Sequence, residues 1–284
     1  MILVTGATGT VGREVAKQLV AADERTRAFV RDPAKGHRLG SKVEQVVGDL
    51  DRPETIEAAV RDVDRVFLVT TQSPRQPEWE RSVIEAASRS GVHHVVKLSV
   101  FNADERSPLQ IARQHRQAEH ALEDSGLDAT ILRPVFFMQN LFGMVRGSKI
   151  ATAAGDGRVA LIDARDIAAV ATAALVEDGH AGKTYTLTGP EALTFEDVAR
   201  IVSQRTGSLI GHVHVQPDGV RAGLQAAGVP AWFADDMGTL QSMLADGYEQ
   251  ETTDDVRSVT GSPPRALDEF AADFADSFRG QAAS

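Results

Sequence analysis

"TGATGTVG", Thr5 to Gly12, follows the apolar run Ile2-Leu3-Val4 and leads into the helix-like stretch Val11 to Ala22. Glycines at positions 6, 9 and 12, set between a strand and a helix, predict a turn whose amides point outward at the positive end of the helix dipole. With no side chain in the way, a diphosphate approaches such a backbone closely. The spacing is G-x-x-G-x-x-G rather than G-x-G-x-x-G, so the strand before it and the helix after it carry the reading. The stretch predicts a dinucleotide site with Gly6, Thr8, Gly9, Thr10, Val11 and Gly12 around the phosphates.

The alternation continues to about residue 135. Apolar runs at Ile2 to Thr5, Thr26 to Val30, Val43 to Val47, Arg65 to Val69, His94 to Leu98 and Ala129 to Leu132 read as strands. They are continuous rather than alternating, as strands covered on both faces are. Between them, Pro53 to Arg61, Glu78 to Ser90 and Pro108 to Ser125 read as helices, with proline in the first turn of two and Gly91 and Gly126 at stops. Repeated βα units predict a Rossmann-type, doubly wound parallel sheet of the α/β class. Beyond Pro134 come the aromatic stretch "VFFMQNLFGMV", a helix at Asp163 to Val176 and a strand at Thr184 to Thr188 that returns to the sheet. The rest is mostly helical: Phe195 to Thr206, Gly219 to Ala227, Ala231 to Ala245 and Ala266 to Phe278, with a strand at His212 to Val215. The expected division is a dinucleotide-binding domain over residues 1–189 and a smaller, mostly helical C-terminal lobe over 190–284 that covers the sheet's mouth.

In such folds the residue ending the second strand chooses the cofactor: a carboxylate takes a ribose 2′-hydroxyl and a guanidinium accommodates a 2′-phosphate. Arg31 holds that place in "AFVRDP", which favours NADP(H), with Arg13 as a second phosphate contact. Asp32, one residue on, keeps NAD(H) open. Asp49-Leu50 are placed to border the adenine, or Asp49 to cap a turn. Thr70-Thr71 close the fourth strand at the edge where ligands sit.

The chain has 284 residues, 42% hydrophobic, enough for one large core with an attached lobe. It has no cysteine, which excludes disulfides, thiolate catalysis and cysteine-bound metals. His93-His94 and His212/His214 lack a third ligand at metal spacing, so no metal is expected. A net charge of −10, gathered in the second half without a basic stripe, argues against nucleic acid. There is no leader pattern and no long apolar run, so the expectation is a cytoplasmic protein, off the membrane, monomeric or homodimeric. Arginine outnumbers lysine 24 to 6, a bias that often accompanies a GC-rich bacterial genome.

"TGATGTVGR", "VRDP", "GDL" at Asp49, "KLS" at Lys97 to Ser99, "HRQAE" at His115 to Glu119, "ILRPVFFMQNL" at Ile131 to Leu141, "DARDIA" and "LTGPEALTFEDVA" together resemble the NmrA-like branch of the atypical short-chain dehydrogenase/reductase superfamily, over nearly the whole chain. The resemblance implies an NAD(P)H-dependent reductase, with Ser99 in the serine position and Pro134 beside the cofactor. It also implies Phe136, Phe137, Met138 and Asn140 along the nicotinamide and substrate side. The superfamily's Tyr-x-x-x-Lys pair is missing. Those helix positions hold Ile111 and His115, and neither Tyr185 nor Tyr248 lies in such a pattern.

That departure bears on the chemistry. A simple ketone reduced to an alkoxide needs a nearby acid, whereas a quinone or other conjugated acceptor spreads the incoming charge. Ser99 and His115 are the candidate catalytic residues; His115 orients the substrate or gives a proton near neutral pH, or is only a polar helix residue bonded to Glu119 or solvent. The leading expectation is hydride transfer to a flat conjugated small molecule such as a quinone, an azo compound or an aromatic polyketide. A catalytically weak NADP(H) sensor of the NmrA type, or a redox-neutral enzyme retaining the nucleotide, fits the same absence. Asp163, Arg165 and Asp166 read as a structural ion-pair corner, and Asp235-Asp236 and Asp254-Asp255 as solvated helix starts.

Overall fold

The computed structural model describes residues 1–282. In chain order the first elements are β1 (Ile2–Val4), α1 (Thr10–Ala21), β2 (Thr26–Val30), a short α2 (Pro33–Gly36), β3 (Val43–Val47), α3 (Pro53–Ala59), β4 (Arg65–Leu68), α4 (Gln76–Arg89), β5 (His94–Leu98), α5 (Gln110–Ser125) and β6 (Asp128–Pro134). Then follow α6 (Leu141–Met144), β7 (Val145–Arg146), β8 (Lys149–Thr152), α7 (Ala164–Val176), β9 (Thr184–Leu187), α8 (Phe195–Thr206), β10 (Gly211–His214), α9 (Pro217–Ala226) and α10 (Ala231–Ala245). The chain closes with α11 (Asp255–Thr260), α12 (Leu267–Asp273) and α13 (Ala275–Ala282).

Seven strands form one parallel sheet in the order β3-β2-β1-β4-β5-β6-β9. The order reverses between β1 and β4, which opens a crevice at the carboxyl ends of those strands. Alternate strand residues feed two cores, as the two-residue period of a strand requires. Ile2, Val4, Phe67, Val96 and Leu98 pack with α1 and α7, whereas Leu3, Val66, Leu68 and Val95 pack with α3 and α4. Burial on both faces is why these strands read as unbroken apolar runs.

A third core lies beyond the carboxyl edge, and its members come from both sides of residue 190: Met138, Leu141, Val145, Ile150 and Leu161 pack with Phe195, Val198, Leu240 and Phe270. A three-stranded sheet, β10-β8-β7, belongs to this layer and joins residues 149–152 to 211–214. The expected boundary at 189/190 therefore does not separate the cores. The short strands β7 and β8, paired through the turn at Gly147, lie outside the strands expected from the sequence. After the lobe the chain returns to the sheet domain, where Thr253 N bonds Thr188 Oγ1 at 3.0 Å and α11 packs beside α7 through Val256.

The single helix expected over 266–278 is two. It breaks at Phe274, φ −111°, and the break lets Phe270, Phe274 and Phe278 all approach Phe142, at 5.4, 5.4 and 5.0 Å between ring centres. Asp236 is not a solvated helix start either. It is buried, and its two oxygens accept from Gln110 N (2.9 Å) and Ile111 N (2.7 Å), so α10 of the lobe caps α5 of the sheet domain. Asp255 likewise accepts from Thr186 N at 2.7 Å.

Candidate active site

The glycine turn is built as its spacing predicts. Thr5 Oγ1 donates to Val69 O (2.7 Å) and accepts from Val69 N (2.9 Å), which pins the exit of β1 to the end of β4. Gly6 then turns at φ +55°, and a Cβ there would meet Val69 O at 2.8 Å. A Cβ on Gly12 would lie 2.3 Å from Gly6 O, so the helix can pass this close to the turn only without a side chain. Thr8, Gly9 and Thr10 are exposed, and no side chain caps α1. The first amides of a twelve-residue helix thus face the crevice unpartnered, and the donor set and the cradle fit a diphosphate.

Around that turn, Arg31 is exposed at the end of β2, while Asp32 Oδ1 is tied to Ala34 N at 2.9 Å as the cap of α2. Asp49 Oδ1 accepts from Asp51 N (3.0 Å), closing a turn, with Leu50 half-buried beside it. Thr71 is exposed, but Thr70 Oγ1 points inward and donates to Glu80 Oε1 at 3.0 Å.

Thr70 leads into a buried polar network that the sequence did not reveal. Lys97, in the middle of β5, is fully buried and donates from Nζ to Glu80 Oε2 (2.7 Å), Leu98 O (3.1 Å) and His115 Nδ1 (3.2 Å). Glu80 is buried as completely as its partner. The Gln76 amide nitrogen lies 3.1 Å from the other ring nitrogen, Nε2. Burial, with the Lys97 charge second, holds His115 well below the usual histidine range. A neutral, buried imidazole is not a proton donor at neutral pH, and its ring nitrogens meet Lys97 and Gln76 rather than Glu119. The one available signal was a lysine inside the apolar run "HVVKL", which needs a buried anion.

Ser99 is also committed. It is buried, and its hydroxyl donates to Glu119 Oε1 at 2.6 Å. Glu119 further accepts from Arg133 Nε (3.0 Å) and Arg116 Nη1 (3.0 Å). Burial alone would raise its carboxyl, but the bonds from Arg133 and Ser99 outweigh that and lower it. Ile111, at the expected tyrosine position, is 7% exposed and supplies no acid.

The aromatic stretch after β6 does not form one wall. Phe136 is half-buried and stands edge-on to Phe195 at 6.3 Å; Phe137 pairs with Ile162 and packs on the first core. Met138 is 1% exposed and belongs to the third core, and Asn140 faces outward. Pro134 is buried at the strand's end, where its carbonyl accepts from Phe101 N at 2.9 Å. The ion-pair corner stands: Arg165 pairs with Asp163 and Asp273, and Arg265 with Asp166. Among the described helices none is long and apolar enough to cross a membrane.

A glycine turn at a topological switch point of a parallel sheet defines a dinucleotide-binding protein. The chain belongs to the NAD(P)H-binding family, which matches residues 6–178, and it is an NAD(P)H-dependent oxidoreductase. It is 38% identical to the NAD(P)H azoreductase of Xenophilus azovorans, over 98% of this chain and 99% of that one. It is 37% identical, over the same shares, to the (4-alkanoyl-5-oxo-2,5-dihydrofuran-3-yl)methyl phosphate reductase of Streptomyces griseus subsp. griseus. The NADPH complex of the Escherichia coli quinone oxidoreductase QOR2 superposes with a TM-score of 0.86 at 27% identity, covering 96% of this chain and 99% of that one.

Proposed function

We propose that the protein reduces a flat, conjugated small molecule at the expense of NADPH, in the cleft between the sheet and the lobe. The observation that carries this is the floor of α5. Ile111 has no acid to offer and His115 is sealed against Lys97, so this helix has nothing to protonate the alkoxide of a simple ketone. An azo bond, a quinone and an unsaturated lactone share the property such a site needs: each spreads the incoming charge over a conjugated system. The named relatives act on these classes. Bound NADPH supplies the hydride, and the protein supplies orientation and exclusion of water.

Gly6, Thr8, Gly9, Thr10, Val11 and Gly12 hold the diphosphate, and Arg31, free at the end of β2, receives the 2′-phosphate. Pro134 borders the nicotinamide and Phe136 the acceptor. Ser99 and His115 act as a rigid floor rather than as donors. The enzyme works in the cytoplasm as a monomer or homodimer.

The test mixes the protein with NADPH or NADH and a panel of an azo dye, a para-quinone and an unsaturated lactone, following the nicotinamide absorbance. NADPH-dependent turnover of at least one acceptor is expected, with the preference for NADPH lost in Arg31→Ala. Tight NADPH binding without turnover on the whole panel speaks for the sensor reading instead.

A further inference from the structure

Asp51 follows β3 and leads into α3, and Arg75 follows β4 and leads into α4; both helices pack on the same face of the sheet. The two strands are not neighbours, because β2 and β1 lie between them. Arg75 Nη1 nevertheless pairs with Asp51 Oδ1 at 2.6 Å, and the Trp79 indole N–H donates to the same oxygen. The Arg75 guanidinium carbon stands 5.8 Å from the centre of the Trp79 ring, within cation–π reach. A bar of side chains therefore runs alongside the carboxyl ends of β2 and β1, the ends that carry Arg31 and the glycine turn.

The two loops that carry the bar are each fastened. Asp49 O accepts from Thr55 Oγ1 (2.8 Å) and Arg52 N (2.9 Å), and Asp51 N donates to Asp49 Oδ1, so the loop after β3 closes on itself. In the loop after β4, Ser73 O accepts from Gln76 N (3.0 Å) and from the buried Gln114 of α5 through Nε2 (3.1 Å). The contact between the loops is softer. The side chains of Arg75 and Asp51 are 53% and 43% exposed, so water competes for the pair and it breaks readily. Its breaking also changes charge, since Arg75 in place cancels the Asp51 carboxylate and Arg75 released leaves it bare.

We propose that the bar of Asp51, Arg75 and Trp79 closes the adenosine half of the cofactor site, and that breaking it is the step that lets NADP(H) leave. The proposal rests on the cofactor reading above, which puts the adenosine half on the β2 side of the glycine turn, beside Arg31. The three side chains are positioning residues and take no part in hydride transfer. While the bar is closed, the wall beside the nucleotide presents no net charge. Once Arg75 swings out, a free carboxylate faces an anionic ligand through an open side, and both changes favour departure. Trp79, bonded to the same Asp51 oxygen, stands where it reports the event.

Asp51→Asn keeps a carbonyl for the Trp79 indole and removes the charge that holds Arg75. Its NADPH dissociation rate, followed by stopped-flow nicotinamide fluorescence, is expected to rise about two- to fivefold, the scale of an exposed ion pair. The Kd of adenosine 2′,5′-bisphosphate in calorimetry should rise by a similar factor, while the KM of the acceptor at saturating NADPH is unchanged. Arg75→Met should speed dissociation as much and also slow association, because its Asp51 carboxylate is left bare. Of the two tryptophans, Trp79 and Trp232, only Trp79 belongs to the bar. The bisphosphate should therefore shift indole emission in Trp232→Phe and not in Trp79→Phe. Unchanged dissociation in both Asp51→Asn and Arg75→Met overturns the proposal, and so does an emission change that survives Trp79→Phe. An acceptor KM that rises in step with the bisphosphate Kd marks general loosening and overturns it too. A wild type that binds neither NADPH nor the bisphosphate removes the cofactor reading itself, an outcome visible without any variant.

Discussion

Lys97 Nζ lies 2.7 Å from Glu80 Oε2 with both side chains wholly buried, one strand residue below Leu98 and two below Ser99. A charge pair without solvent survives because Lys97 also bonds Leu98 O and His115, and Glu80 also accepts from Thr70. Removing one partner strands the other. Lys97→Met should cost roughly 3–5 kcal/mol in urea unfolding, while Lys97→Met with Glu80→Gln should recover much of it. The single variant should also raise the His115 pKa seen by NMR, because the charge opposing its protonation is gone while burial remains.

Glycine substitutions at the turn should separate by geometry. A Cβ on Gly12 meets Gly6 O at 2.3 Å and backbone carbon at 2.8 Å, but one on Gly9 meets only Gly6 O, at 3.2 Å. Gly12→Ala must shift the turn and should abolish NADPH binding in calorimetry; Gly9→Ala should weaken it far less. Equal losses would show that the glycines serve the ligand's approach alone rather than the close passage of α1.

Asp236 gives a test of how the lobe is fastened. It satisfies two amides at the start of α5, and Asp236→Ala leaves both without a partner. The expected cost is about 1–2 kcal/mol, the range for a lost cap. Hydrogen exchange should quicken at Gln110 and Ile111, with a higher KM for the acceptor and little change in NADPH affinity.

Glu249 predicts a pH dependence of stability. Burial pushes its carboxyl up to about 7, against a lowering by the Phe136 amide. Below pH ~4.3 the group is protonated in both states and contributes nothing. Between there and about 7 the unfolded chain releases the proton and the folded one keeps it, so stability falls as pH rises, then levels off. The full span is up to about 3 kcal/mol. Glu249→Gln keeps an acceptor for Phe136 N and should flatten that decline in melts taken from pH 4 to 8.

The sequence by itself determined the sheet and its cofactor edge. Unbroken apolar runs become parallel strands because helices cover both faces, and glycines 6, 9 and 12 work within eight residues of chain, where local sterics decide. Arg31 at the end of β2 was readable for the same reason, being placed by local register, whereas the missing Tyr-x-x-x-Lys pair was visible only through the family resemblance. What joins distant segments was decided only by the tertiary structure. Lys97 meets Glu80 and His115 across two helices, Asp236 caps a helix 125 residues away, and Tyr248 reaches Phe101 from the far end of α10. Such pairs leave no spacing in the chain, because the distance between partners is set by how the lobe packs on the sheet and not by the period of any helix or strand.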